Sequence, residues 1–391
     1  MIMAKRMSFC DLPEEIIEKI MLWVPADSLV QSKVVNKFWY SLISGLINDP
    51  KFVSDHLLIA KNQSSASLLF KWPSHHVDHR LIAYKLLTVN YDDRGEDDPL
   101  MSVTEPLSIH LPELIGDESS WHCSYHCDGL ILLVSDVGRM ALCNPALKEF
   151  MFLPQPRNFI IEGPPRYPNG VVEFGFDSVN NVYKCVVIWC HNKCKVEVYT
   201  MSSNSWREIN MPQDIVDIIT SNVLGNPLHW EGVCYWLGHD LDNYYYRVIL
   251  SFNLSNEEFH LIRLPHFKSW DLTCYRIEFV VWNDSVALYW RDDRKNILRL
   301  FTMDVAEEGS DYSWTNYECV GPVGKIWFEQ PIWKNDEILM EVKKDGHKEL
   351  VSFNILTQKV RNVVCCDQDF SRDLRSRQFF FVKSLVSLRR R

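Results

Sequence analysis

Ile249-Leu-Ser-Phe-Asn-Leu-Ser-Asn-Glu-Glu-Phe-His-Leu-Ile262 is an apolar run, a polar turn and a second apolar run, the pattern of one β-hairpin. The same unit occurs at Ala141-Leu-Cys-Asn-Pro-Ala-Leu-Lys-Glu-Phe-Met-Phe-Leu-Pro154 and at Val196-Glu-Val-Tyr-Thr-Met-Ser-Ser-Asn-Ser-Trp-Arg-Glu-Ile209. It returns at Leu300-Phe-Thr-Met-Asp-Val-Ala306, with a sequel through Trp314, and at Leu350-Val-Ser-Phe-Asn-Ile-Leu-Thr-Gln-Lys-Val360. Aligning Asn144, Thr200, Asn253, Asp304 and Asn354 gives spacings of 56, 53, 51 and 50 residues. A period of that size is the mark of kelch-type propeller blades. One hairpin cannot bury both of its faces, so neighbouring units must stack around a common axis. Residues 68–391 at this period predict an all-β, kelch-like propeller of about six blades. Phe379-Phe-Phe-Val-Lys-Ser-Leu-Val-Ser-Leu388 is expected to close the ring against strands near Leu68 to Trp72. An irregular array of β-sandwiches is the competing architecture.

The amino-terminal segment has a different period. Ile16, Ile17, Ile20, Met21 and Val24 recur at one-face helical spacing behind Pro13 and the acidic pair Glu14–Glu15. Pro25 stops that helix, and Asp27 or Ser28 can cap a second bearing Leu29, Val30, Val34 and Val35. Phe38, Trp39, Leu42, Ile43, Leu46 and Ile47 form the stripe of a third, ended at Asp49–Pro50 before a shorter segment with Phe52, Val53 and Leu57. The predicted class is therefore α+β and multidomain: a three-helix head over 8–57, a linker over 58–67 and the β body from residue 68. Three short helices make a marginal core and carry more apolar surface than they can share, so the head wants a partner, either another protein or the chain's own β body.

Composition restricts the function. The chain has 391 residues, 47% of them hydrophobic, and 41 basic against 51 acidic residues for a net charge of −10. Nucleic-acid affinity comes largely from Lys and Arg, so a phosphate backbone is not the expected partner, whereas a basic protein suits this field. No apolar run reaches the roughly 20 residues of a membrane span. The twelve cysteines follow no disulfide framework and no secretory leader is evident, which points to an intracellular protein, cytoplasmic and open to the nucleus.

Chemistry-bearing clusters are few. His122, Cys123, His126 and Cys127, with Cys190, His191 and Cys194, have zinc-ligand composition, but adjacent strand residues point to opposite faces and cannot share one ion. His75, His76 and His79 read as solvated loop residues, and Asp92 to Asp98 as an acidic surface loop without the spacing of a calcium site. No phosphate-binding glycine loop and no activated nucleophile is recognisable, so no cofactor, metal or catalytic residue is expected. Tyr244, Tyr245, Tyr246 and Arg247, in a segment rich in Asp and Asn, are the candidate contacts to a protein substrate.

Leu12-Pro-Glu-Glu-Ile-Ile-Glu-Lys-Ile-Met21, followed by Val24-Pro-Ala-Asp-Ser-Leu-Val-Gln-Ser-Lys-Val-Val-Asn-Lys-Phe-Trp-Tyr-Ser-Leu-Ile43, resembles an F-box. Cys127-Asp-Gly-Leu, Cys143-Asn-Pro, Phe174-Gly-Phe-Asp, Tyr183-Lys-Cys-Val and Ile332-Trp-Lys-Asn-Asp resemble, in order, the plant F-box-associated domain. The segment 314–332 and Lys383-Ser-Leu-Val-Ser-Leu388 look most like the S-locus F-box proteins. The resemblance implies a non-catalytic substrate receptor that joins a SKP-family adaptor, and through it a cullin and RING subunit, to a protein target. For S-locus relatives that target is a basic style ribonuclease met in pollen. It further implies adaptor docking by Leu12, Pro13, Ile16, Ile20, Pro25, Leu29, Val30, Val34 and Trp39. Trp23 and Asp27 stand where the family carries a basic residue, and Asn36 and Phe38 replace its usual Cys-Lys-Ser-Trp ending. A vegetative plant target, or a ligand-binding propeller with no ligase role, are the alternatives.

Overall fold

The computed structural model describes residues 12–63, 65–71, 81–91, 98–110, 121–135, 138–157, 170–190, 194–219, 222–240, 246–265, 275–292, 297–304, 312–320, 325–334, 336–344, 347–365 and 378–389. Four helices come first: α1 (Glu14–Met21), α2 (Ala26–Ser32), α3 (Lys37–Asn48) and α4 (Pro50–Lys61). Pro13 and Pro25 immediately precede α1 and α2, where a missing N–H costs nothing. Asn36 caps α3 by accepting the Trp39 N–H, and Asp49 caps α4 by accepting that of Lys51. Ile17, Met21, Ala26, Leu29, Ile43, Leu46, Ile47 and Phe52 form the core of this head, completed by Ala146 and Leu385 from the β body. The fourth segment, expected to be short, is a full twelve-residue helix.

The head is not set apart by a linker over 58–67. Leu58 to Lys61 are the last turn of α4, and β1 (Ser65–Lys71) begins at once, leaving residues 62–64 between them. The polar composition of this stretch suggested a flexible tether. Ser65 and Ser67 are instead strand residues: Ser67 pairs with Thr88, and their hydroxyls hydrogen-bond at 2.8 Å.

After β1 come β2 (Leu81–Asn90) and β3 (Leu100–His110), then four antiparallel meanders. The first is β4 (Trp121–Cys127), β5 (Leu130–Ser135), β6 (Met140–Asn144) and β7 (Glu149–Phe152). The second is β8 (Gly170–Asp177), β9 (Val182–Cys190), β10 (Cys194–Thr200) and β11 (Ser205–Ile209). A short helix, α5 (Gln213–Ile219), precedes β12 (Asn222–Trp230), β13 (Val233–Asp240), β14 (Tyr246–Asn253) and β15 (Phe259–Arg263). The fourth is β16 (Tyr275–Trp282), β17 (Ser285–Asp292), β18 (Ile297–Asp304) and β19 (Ser313–Val320). The remaining strands are β20 (Lys325–Lys334), β21 (Glu337–Lys344), β22 (His347–Asn354), β23 (Val360–Cys365) and β24 (Gln378–Phe380).

The described strands form five sheets, which corrects the expectation of about six blades. Four are four-stranded; the fifth runs β20-β21-β22-β23-β3-β2-β1-β24. It is continuous because β23 pairs in parallel with β3, Val363 opposite Leu100, so the last meander and the amino-terminal strands merge edge to edge. A repeat period counts units but does not say which of them fuse. Ring closure follows the expectation: β24 pairs with β1, Leu68 opposite Phe380 and Leu69 opposite Phe379.

Among the described residues, each interface between neighbouring sheets has an apolar core. Leu130, Leu132 and Leu142 of the first meander meet Phe174, Cys185 and Tyr199 of the second. Val186 and Val198 meet Trp236 and Leu250 of the third, and Leu237 and Ile249 meet Ile277 and Leu288 of the fourth. Leu298 and Leu300 meet Ile338 and Met340, while Ile131 and Leu133 turn back onto Leu69 and Tyr84. All six residues of β5 are buried because its two faces serve two different interfaces, which explains the unbroken apolar run Leu130–Val134.

The recurring Asn explains the period physically. Asn144 Oδ1 accepts the N–H groups of Ala146 and Leu147, Asn253 those of Ser255 and Asn256, and Asn354 those of Leu356 and Thr357. Four positions after each Asn the chain is left-handed, at Lys148, Glu257 and Gln358, which reverses it into the next strand.

Candidate docking surfaces

Tight turns gather at one end of the sheets. The β4–β5 turn carries Asp128 and Gly129, and the β6–β7 turn carries Ala146 and Leu147; both meet the helices. Antiparallel geometry makes each meander start and finish at the other end, so the long connections between meanders, 153–169, 210–221 and 264–274, join strand ends there, as do β13 and β14. Helical head and longer connections therefore lie at opposite ends of the body.

The head buries one side and shows another. Ile16 and Ile20 are 42% and 40% exposed and Val34 is 88% exposed; Pro13 and Pro25 are also open, while Leu12, Val30 and Trp39 are half-buried. Leu29 is 1% exposed and lies in the head's core, where it supports this surface from beneath. The helical period shows that Leu29 is apolar-facing and cannot say toward which side. Five further apolar side chains of the described head are open: Trp23, Val35, Phe38, Tyr40 and Leu58. Trp23 continues the Ile16–Ile20 row at the i+3 position, a spacing already present in the sequence.

At the opposite end, Tyr246 and Arg247 open β14, whereas Tyr244 and Tyr245 lie outside the described residues. His75, His76, His79, Asp92 and Asp93 lie outside them as well. No group of three or more His, Cys, Asp or Glu residues among the described ones has metal-binding geometry.

Cys127 Sγ lies 3.9 Å from His229 Nδ1, at the hub where β4, β8 and β12 adjoin. Burial drives the Cys127 thiol up and holds His229 down at about 4, so both are neutral near pH 7. That pair is packing, with an inert thiol. Nearby, Tyr183 donates to Asp128 at 3.0 Å, and Asp128 is ion-paired with Lys61 at the end of α4.

A cleft of about 520 Å³ separates the α1–α2 turn from β1, β2 and β3. Lys383 crosses it, 2.8 Å from Asp27 on the head and 2.6 Å from Glu105 on β3. Burial works against the charge of Lys383, but these two carboxylates outweigh it and raise its pKa. Asp27 also meets a burial cost, yet its bond to Lys383 holds it below the usual carboxylate range. The cleft lies at the junction of head and body, away from the axis that a ligand-binding propeller would use.

A model of the F-box domain matches residues 9–51, and a model of the F-box associated beta propeller domain matches residues 78–388. The chain belongs to the F-box associated beta propeller family. An F-box/kelch-repeat protein of Arabidopsis thaliana is 25% identical over 96% of this chain and 88% of its own length. An F-box protein of the same plant is 25% identical over 82% of this chain and 90% of its own length. F-box protein CPR1 of Arabidopsis thaliana aligns less completely, at 25% identity over 65% of this chain and 60% of its own. Among solved structures, TolB from Acinetobacter baumannii aligns with a TM-score of 0.41 and 9% identity over 76% of this chain and 65% of that one. A likeness that distant decides nothing about function. The F-box match covers α1 to α3 and ends at Lys51 in the first turn of α4, and no helix among the described residues is long and apolar enough to cross a membrane.

Proposed function

We propose that this protein is the substrate-receptor subunit of an SCF-type ubiquitin ligase, its F-box docked on a SKP-family adaptor and its propeller holding a protein target. The observation that carries this reading is the open apolar face of the head: Ile16, Ile20, Trp23, Val34, Val35 and Phe38 are exposed while the other side of the same helices is packed. A contiguous apolar surface marks a protein-binding site. The mechanism is positional. A cullin and RING assembly joined through the adaptor brings activated ubiquitin near the bound target, and tethering raises effective concentration without a catalytic group on this chain.

The target is read at the end opposite the head, where the longer connections lie and where Tyr244 to Arg247 stand in the sequence. A basic secreted ribonuclease of the style, met in pollen, is the finer reading, supported by the net charge of −10 and the S-locus-like segments 314–332 and 383–388.

The test is adaptor affinity of the full chain with Ile16→Asp/Ile20→Asp, beside Leu29→Ala. The surface pair is expected to lose adaptor binding by more than tenfold at an unchanged melting temperature. Leu29→Ala is expected to lose about 2–4 kcal/mol of head stability, the cost of a core cavity. Equal adaptor binding by the wild-type and surface variants would refute the reading. Capture of a basic ribonuclease by wild-type protein, weakening as salt rises, would carry the finer one.

A further inference from the structure

Residues 378–389 pack against the fifth sheet, the helical head and the first two meanders. Their first three form β24 on β1, and the Phe381 N–H donates to the Ser67 carbonyl at 2.9 Å, so this stretch completes the fifth sheet. The next residues pass between the head and the body with alternating side chains. Leu385, fully buried, enters the core of the helical head. Val386 and Leu388 point the other way, into the core shared by the first two meanders. Polar contacts follow the same division. Lys383 ties Asp27 of the head to Glu105 of β3. The Ser384 hydroxyl donates to the Asp128 carbonyl, and Asn144 Nδ2 donates to the carbonyls of Ser384 at 3.1 Å and Val386 at 2.7 Å. Glu149 accepts from the Ser387 hydroxyl and from the Leu388 N–H.

The approach is close enough to exclude a methyl group. Gly129, at φ +79°, would place a Cβ 2.5 Å from the Val382 carbonyl oxygen and 2.8 Å from Ser384 Cβ. Only glycine accepts that backbone conformation without strain and leaves room for the strap.

We propose that segment 378–389 is a coupling strap, through which closure of the ring of sheets and seating of the helical head become one conformational event. The reason is economy of contact: the residues that hold β24 against β1 are covalently continuous with Leu385, and among the described residues Leu385 is buried in the cluster that forms the core of the seated head. Lifting the head would leave Leu385 in water and break the Lys383–Asp27 pair; opening the ring would withdraw both. The head therefore keeps a fixed orientation whenever the ring is closed. This inference stands apart from the ligase reading, because it concerns the coupling between two parts of one chain.

Hydrogen exchange of the full chain, read peptide by peptide, tests it with one substitution on each side of the strap. Leu385→Ala disturbs only the head side. Phe381→Ala disturbs only the body side, where Phe381 packs with Leu69, Ile82 and Ile131. Coupling predicts that each variant speeds exchange about tenfold or more in α1–α4 and in β1 together, while β8–β19 keep wild-type protection and show that the body is folded. The proposal is overturned if Phe381→Ala loosens β1 and leaves the helices at the wild-type rate, or if Leu385→Ala loosens the helices alone.

Discussion

Asn144 shows how much one side chain can decide. It is fully buried and uses both ends of its amide, the oxygen on the Ala146 and Leu147 N–H groups and the nitrogen on two strap carbonyls. Asn354 makes the same turn with its oxygen alone, at the surface. Asn144→Leu should therefore cost about 3 kcal/mol in chemical denaturation, because buried carbonyls and N–H groups lose their partners, and Asn354→Ala only about 1 kcal/mol. His229 sets a pH dependence of the opposite kind. Its folded pKa, about 4, lies below the ordinary value because burial disfavours the cation. The unfolded chain then binds the proton more readily below about pH 6.5, and stability present at neutral pH is lost as pH falls toward 4. Unfolding free energies from urea titrations at pH 7 and pH 4.5 should differ by about 2 kcal/mol more in the wild type than in His229→Gln. In the sequence Asn144 was legible as a turn residue through its period. Its strap contacts were not, since they join residues 240 and 242 positions apart.

At the scale of elements, the meanders are held to one another by polar pins set into apolar interfaces. Lys184 on β9 reaches Asp177 at 2.9 Å, Glu257 at 3.2 Å and the Leu254 carbonyl, and so joins the second sheet to the third. Burial opposes the Asp177 charge, but hydrogen bonds from Ser255, Asn180 and Lys184 outweigh it and hold the carboxyl well below the usual range. Lys184→Met should cost about 3 kcal/mol in thermal or urea unfolding, because it strands a buried carboxylate. A loss below about 1 kcal/mol would show that Ser255 and Asn180 satisfy Asp177 unaided. Elsewhere the pins are tryptophans: Trp206 donates to the Pro154 carbonyl at 2.6 Å and Trp314 to the Arg263 carbonyl at 2.9 Å, each from an outer strand to the preceding unit. Much of the tryptophan richness is thus spent between units. The strands themselves were readable because local alternation and turn chemistry set them. The extent of helix α4 was not legible because the polar run Lys61–Ser67 that follows it resembles a tether by composition alone.

For the whole molecule, the proposed function describes a receptor whose adaptor-docking face and target-reading end lie at opposite ends of the ring of sheets. On that proposal a target and an adaptor are held at the same time without competing. A flexible linker would have allowed the head to sample many orientations; the seated head presents one. By itself the sequence determined the helical head, the repeating hairpins, the closing of the latest strand on the earliest and the family, because helix period, strand alternation and turn residues act over short stretches of chain. Tertiary structure alone decided that the last meander fuses with β3, that Leu29 supports the docking surface from within, and that residues 378–389 bind head to body. Each depends on which of several apolar faces meet in space. A sequence pattern records that a face must be covered, and only the folded chain decides what covers it.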